Sequence, residues 1–152
     1  MTATHPESER IRALQESMAD SLERIEAELD RMSDCMFDRD YFDALGEQLG
    51  RLHARLRQHH AIESYHAGGD SIAQRSPEYA DQIARLHAEH STILGMLDRL
   101  IRQVESVVDH ALEDKEVFAM RGRELIAVVR RHEVEEDRLF YLSLWRDTGG
   151  ES

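Results

Sequence analysis

Two histidine–glutamate pairs stand four residues apart in this sequence: His59 with Glu63 in RQHHAIES, and His132 with Glu136 in RRHEVEED. On a helix, residues at that spacing lie one above the other on one face. Each pair continues an apolar stripe. Phe42, Leu45, Leu49, Leu52 and Leu56 run into the first, and Phe118, Leu125 and Val129 run into the second. A third histidine, His90, takes a heptad position otherwise held by Ile83, Leu97 and Val104. Three imidazoles and two carboxylates therefore point at one axis. A buried, unpaired carboxylate costs several kcal/mol, and two facing each other repel further. A cation removes both penalties, because carboxylate and neutral imidazole are ligands for iron, manganese or zinc. The bland alternative is a wet set of His–Glu ion pairs near one bundle end. One pair would carry little weight; two at matching positions, with a third inward histidine, favour a metal.

The elements that must position these residues are helices. Ile11, Met18, Ile25 and Met32 recur every seven residues, with Leu14, Leu22 and Leu29 on the same face. Thr4 and Glu7 have the form of a capping box, Asp38 suits the N-cap of a second helix, Ser76–Pro77 opens a third, and Asp114 caps a fourth. The third stripe runs Ile83, Leu86, His90, Ile93, Leu97, Leu100, Val104, and the fourth continues through His132 and Glu136 to Leu139. No segment alternates with period two for the length of a strand. The expected fold is all-α, an antiparallel up-down-up-down four-helix bundle. Its 152 residues suit a single domain, with a core over about residues 7–145 and short flexible termini.

The chain is also duplicated. An offset of 72 lays Ile11, Met18, Leu22, Ile25 and Met32 on Ile83, His90, Leu94, Leu97 and Val104. An offset of 73 lays Leu45, Leu52, Leu56, His59 and Glu63 on Phe118, Leu125, Val129, His132 and Glu136. The bundle is thus two similar helical hairpins. With the last turn near Leu112, His90 and His132 each stand about twenty residues from it, and at about 1.5 Å per residue they are level.

Composition narrows the functions. Nineteen Lys and Arg against 31 Asp and Glu give a net charge of −12, which argues against nucleic acid or an anionic membrane as partner. A single cysteine excludes an internal disulfide framework and a multi-thiolate zinc site. MTATHPESER has no signal-peptide character and the longest apolar run is Leu125 to Val129, so a cytoplasmic protein is expected.

These residues resemble the hemerythrin-like, or HHE cation-binding, family, over about Glu7 to Trp145. The family's motifs stand here as HHAIE on the second helix, AEHSTIL on the third and HEVEEDRLF on the fourth. The resemblance implies a non-haem di-iron centre with His59, His90 and His132 as terminal ligands, and Glu63 and Glu136 as carboxylates able to bridge two metals. It also implies a protein that binds or senses dioxygen, peroxide or nitric oxide, or handles iron. The spacing by itself shows none of these activities.

One departure matters. The family's first helix supplies a histidine, and the duplication places Met18 there, as the partner of His90. A thioether is a poor ligand for hard iron, while methionine is an ordinary core residue. His60 is a further candidate ligand: its repeat partner is Glu133, where some relatives have a ligating carboxylate. Nuclearity stays open between one ion and two, and so does turnover; an open metal position would suit weak peroxidase or catalase-like chemistry. Glu136 keeps the inward stripe, whereas Asp137 turns about 100° away. His87 reads as a flanking residue and His53 as a partly buried packing residue. His5, His66, His110 and Cys35 have ordinary places in a tail, at helix ends and in a turn, and Gly46 and Gly50 are expected to permit close helix approach. Two rivals are kept. A degenerate, metal-free bundle serving as an interaction module draws on Met18. A haem bundle with Met18 and a histidine as axial ligands is disfavoured by two inward glutamates.

Overall fold

The computed structural model describes residues 6–32, 39–65, 77–106 and 115–149. Four long helices make up the fold: α1 (Pro6–Arg31), α2 (Arg39–Tyr65), α3 (Ala80–Glu105) and α4 (Lys115–Gly149). A short 3-10 turn, Pro77–Tyr79, leads into α3, where the fixed φ of proline suits a helical first turn. No strand occurs among the described residues. No helix is long and apolar enough to cross a membrane. The expected caps Thr4, Asp38, Ser76 and Asp114 lie outside the described residues, as do His5, Cys35, His66 and His110. The side chains of Ile11, Glu63, Tyr65 and Tyr141 lie outside them too.

The helices surround one core, each packing on its two neighbours, and every neighbouring pair is antiparallel. Tyr41 donates to the carbonyl of Glu28 and Arg55 to that of Ser17, so α2 rises as α1 falls. His53 meets Asp98 and His60 stacks on His90, which reverses α3 against α2. Arg123 pairs with Asp30 at 2.8 Å, Arg130 with Glu26 at 2.7 Å, and the Gln15 amide donates to Asp137 at 2.8 Å. These exposed links contribute little energy, on the order of 0–1 kcal/mol each, but they fix the register of α4 on α1.

The stripes read from the sequence form the interior. Met18, Leu22, Ile25, Leu29 and Met32 from α1 meet Phe42, Leu45, Leu49, Leu52 and Leu56 from α2. Ile93, Leu97, Leu100 and Val104 from α3 and Phe118, Leu125, Ile126 and Val129 from α4 complete the cluster. A second, smaller cluster joins Ile83 and Leu139 with the flanking Tyr79 and Leu86. The histidine-bearing turns lie between the two.

Glycines set two of the helix approaches. A Cβ on Gly46 would stand 3.3 Å from Val104 Cγ1, which brings α2 close to α3 as expected. Gly50 does not share that role, because a Cβ there would meet nothing within 4 Å. The tightest approach is at Gly122, where a Cβ would fall 2.6 Å from Cδ1 of Leu29. Leu29 is itself buried in the apolar cluster, so its side chain must shift among packed neighbours. Gly50→Ala should raise stability by about 1 kcal/mol, the helix-propensity gain alone. Gly122→Ala should lower it by about 1–2 kcal/mol, because overpacking exceeds the same gain. Denaturant midpoints of the two variants, measured side by side, check the opposite signs.

Candidate metal centre

The stripe of α2 reaches its polar interruption one turn after Leu56, and that of α4 one turn after Val129. At that level α2 presents His59 and His60, α3 presents His90, and α4 presents His132, Glu133 and Glu136. His59 and His132 are fully buried at 1% exposure each, and His60 is buried as well.

Glu136 is the hub. Its Oε2 lies 3.3 Å from His59 Nε2. Its Oε1 lies 3.1 Å from His90 Nε2 and 2.5 Å from His132 Nε2. One carboxylate thereby touches imidazoles from three helices, one group of them at each oxygen. Glu133 adds a second contact to His59, Oε1 to Nε2 at 3.2 Å. The other nitrogen of His132, Nδ1, lies 3.1 Å from Glu89 Oε1 on α3. A carboxylate behind a histidine in this way fixes the ring's tautomer and leaves Nε2 directed at the centre. His60 lies flat on His90, with ring centroids 3.6 Å apart and planes 6° from parallel. His90 and His132 meet edge to face at 4.8 Å.

The environment splits the histidines electrostatically. Burial holds His60 down to a pKa of about 3, and neighbouring His90 adds to the effect against the opposing pull of Glu136. Burial also works against the charged form of His132, but Glu136 and Glu89 outweigh it and raise that imidazole above its usual range.

These residues fit a cation. His60, His90 and His132 form one group, and His59, Glu133 and Glu136 another. Within each, one ligand atom per residue lies within 4.8 Å of the others. Glu133 Oε1 is buried without a hydrogen-bond partner among the described residues, with the His59 imidazole 3.2 Å away, and His132 Nε2 is buried with the Glu136 carboxylate close to it. A cation bound between them would satisfy such atoms. Neutral nitrogen with hard oxygen is a donor set for iron, manganese or zinc.

Of the six candidate ligands from the sequence, His59, His60, His90, His132 and Glu136 come together, and the Glu63 side chain is outside the described ones. Asp137 turns out to Gln15 as expected. Met18 is buried in the apolar cluster. His87 flanks the layer, its ring 5.4 Å from that of His90. His53 is partly buried as expected and also has a polar neighbour, its Nε2 lying 3.0 Å from Asp98 Oδ1. Two carboxylates were missing from the candidate set. Glu133 was signalled by the repeat, which pairs it with His60. Glu89 had no signal, because its partner His132 is distant in the chain.

The protonation split has a measurable consequence in the metal-free protein. His60 has a folded-state pKa below its unfolded value, so the unfolded chain binds the extra proton. Its contribution is complete above pH 6.5 and falls by up to about 1.4 kcal/mol per pH unit from there toward pH 3. His132 is shifted upward, so its contribution is complete below pH 6.5 and fades as pH rises through its folded value. Denaturant titrations of chelated protein between pH 7 and pH 5 should show the acid loss, and His60→Leu should flatten it.

A family model for the hemerythrin HHE cation-binding domain matches residues 7–144. No curated protein and no solved structure matches the chain. The match spans nearly the whole bundle and includes every helix that contributes to the histidine–carboxylate layer, and the chain belongs to the hemerythrin HHE cation-binding domain family.

Proposed function

We propose that the protein holds a non-haem iron centre, of two ions, and uses it to bind or sense a small ligand such as dioxygen, peroxide or nitric oxide. The observation that carries this is Glu136, whose two oxygens divide between His59 on one side and His90 with His132 on the other. His59, His60, His90, His132, Glu133 and Glu136 are the residues that would hold the metal. Glu63, one turn after His59 on α2 and the repeat counterpart of Glu136, would join them. Iron held there would supply an electron-rich site for a diatomic or peroxidic ligand. The chain supplies the rest. Glu89 holds His132 in one tautomer, and the Ile83–Leu139 cluster on one side with the main core on the other restricts water.

A second reading, a bundle that has lost its metal and acts as an interaction module, draws on one observation: Met18 is buried where the repeat calls for a histidine. The two readings differ in what reconstitution does. Protein loaded anaerobically with ferrous iron and desalted should retain up to two ions per chain by elemental analysis. His59→Ala and His132→Ala should each lose at least one. Metal bound only by the folded state, at about 100 times its dissociation constant, adds about 2.7 kcal/mol, so a chelator should lower the melting temperature. Exposure of the loaded protein to oxygen, peroxide or nitric oxide should change its visible absorbance. Protein that retains no iron and melts identically with and without chelator would leave the metal-free reading standing.

A further inference from the structure

The outer side of α4 has a pattern that the bundle itself does not use. Among the described residues the exposed large hydrophobics are Met120 and Val134, at 58% and 65% exposure, and both belong to this helix. Ala127, also exposed, stands midway between them. Steps of seven residues return to within about 20° of the same direction on a helix, so the three form one strip. Glu116, Glu124, Arg131 and Arg138 are exposed on the same side. His132 and Glu136 lie about 140–180° around the helix from Ala127, in the histidine layer.

A single exposed methionine or valine is ordinary. The order of residues along the strip is what matters, because it is self-complementary. Turned about a two-fold axis at Ala127, a second α4 runs antiparallel to the first. Met120 of one copy then lies opposite Val134 of the other. The two Ala127 residues face each other and are small enough to let the helices approach. In the same register Glu116 lies opposite Arg138, and Glu124 falls within one residue of Arg131. Each of these pairs forms twice across the axis. The directions agree as well as the heights. Glu124 and Arg131 lie on one flank of the strip, about 60° and 40° from Ala127, and this two-fold brings like flanks together. The other flank carries Arg123 and Arg130, which arrive with the carboxylates of Asp30 and Glu26 beside them. Parallel pairing would instead set Glu124 on Glu124 and Arg131 on Arg131. With 19 basic residues against 31 acidic ones, two copies repel over most of their surface. Along this strip the charges balance, and their order attracts.

We infer that the outer face of α4 is a docking surface for a second copy of this chain, which joins the first as an antiparallel two-fold dimer. The contact runs from Glu116 to Arg138, about 33 Å of helix. Few apolar groups take part, so the dimer is a weak, reversible one. The histidine layer is across α4 from the contact, so the dimer forms with or without a bound ion.

Sedimentation velocity of the full chain, from about 5 µM to about 500 µM, spans the range of a weak dimer. The average mass should rise from that of one chain toward that of two. Met120→Glu, on the exposed strip and far from the histidines, should weaken association about tenfold or more. Glu124→Arg should weaken it as well, by repulsion from Arg131. Combining Glu124→Arg with Arg131→Glu should restore it, a recovery that damage to the fold cannot produce. In a Cys35→Ser background, Met120→Cys and Val134→Cys proteins mixed in equal amounts should form the mixed disulfide ahead of either homodimer. A chain that stays monomeric to the highest concentration overturns the inference. So does a dimer that Met120→Glu leaves intact, or one that the double charge reversal fails to restore. Preferential cross-linking of the Met120→Cys protein to itself overturns it too.

Discussion

The arrangement of this bundle turns on one partly buried carboxylate. Glu136 lies among His59, His90 and His132, which come from three different helices. In an apolar interior a lone carboxylate would sooner take up a proton or stay in water. Three imidazoles converging on it, with Glu133 alongside, make the layer tolerable only as a unit. Removing Glu136 would take the shared carboxylate from three imidazoles at once, leaving His59 with Glu133 and His132 with Glu89. The flanking apolar clusters matter here too, because every contact in the layer strengthens as water is excluded.

The same constraint accounts for how the supporting helices are built. Glu136 and His132 belong to adjacent turns of α4, so the register of α4 decides whether the layer closes. That register is held by the α1 links at Asp30, Glu26 and Gln15, and by the close approach at Gly122. None of these residues touches the histidines. They act through the position of α4. An exposed ion pair contributes little to folding, but two of them and the Gln15–Asp137 hydrogen bond, spaced along one seam, all favour the register that puts Glu136 beside His59.

Much of this was legible in the sequence because the layer interrupts regular stripes. His59, His90, His132 and Glu136 each occupy a core position in a three-four pattern, and the repeat gives the same interruption twice. The periodicity therefore carried both the fold and the inward direction of these residues. Relations across helices were less visible. Glu89 stands beside His90 in the chain but belongs to His132 in space, and helical spacing holds no record of that pairing. Gly50 and Gly122 show a similar limit. Glycine one turn from glycine suggests close approach, yet Gly50 faces open space and the isolated Gly122 makes the closest contact. Which glycine meets a neighbour depends on the rotation of each helix in the finished bundle.

The duplication is most informative where it is broken. An exact repeat would oppose His90 with a histidine on α1, but Met18 is there and is packed among leucines. The second break is at His60, opposite Glu133 in the repeat. The structure places His60 against His90, the residue whose repeat partner was lost. Four imidazoles therefore lie in the layer, two of them, His59 and His60, on α2 and none on α1 among the described residues. Adjacent residues on one helix point about 100° apart, so His59 and His60 reach different parts of the layer rather than the same spot. His59 turns to Glu133 and Glu136, and His60 turns to His90. The low pKa of His60 keeps it neutral at ordinary pH, the form in which an imidazole can offer a lone pair to a cation.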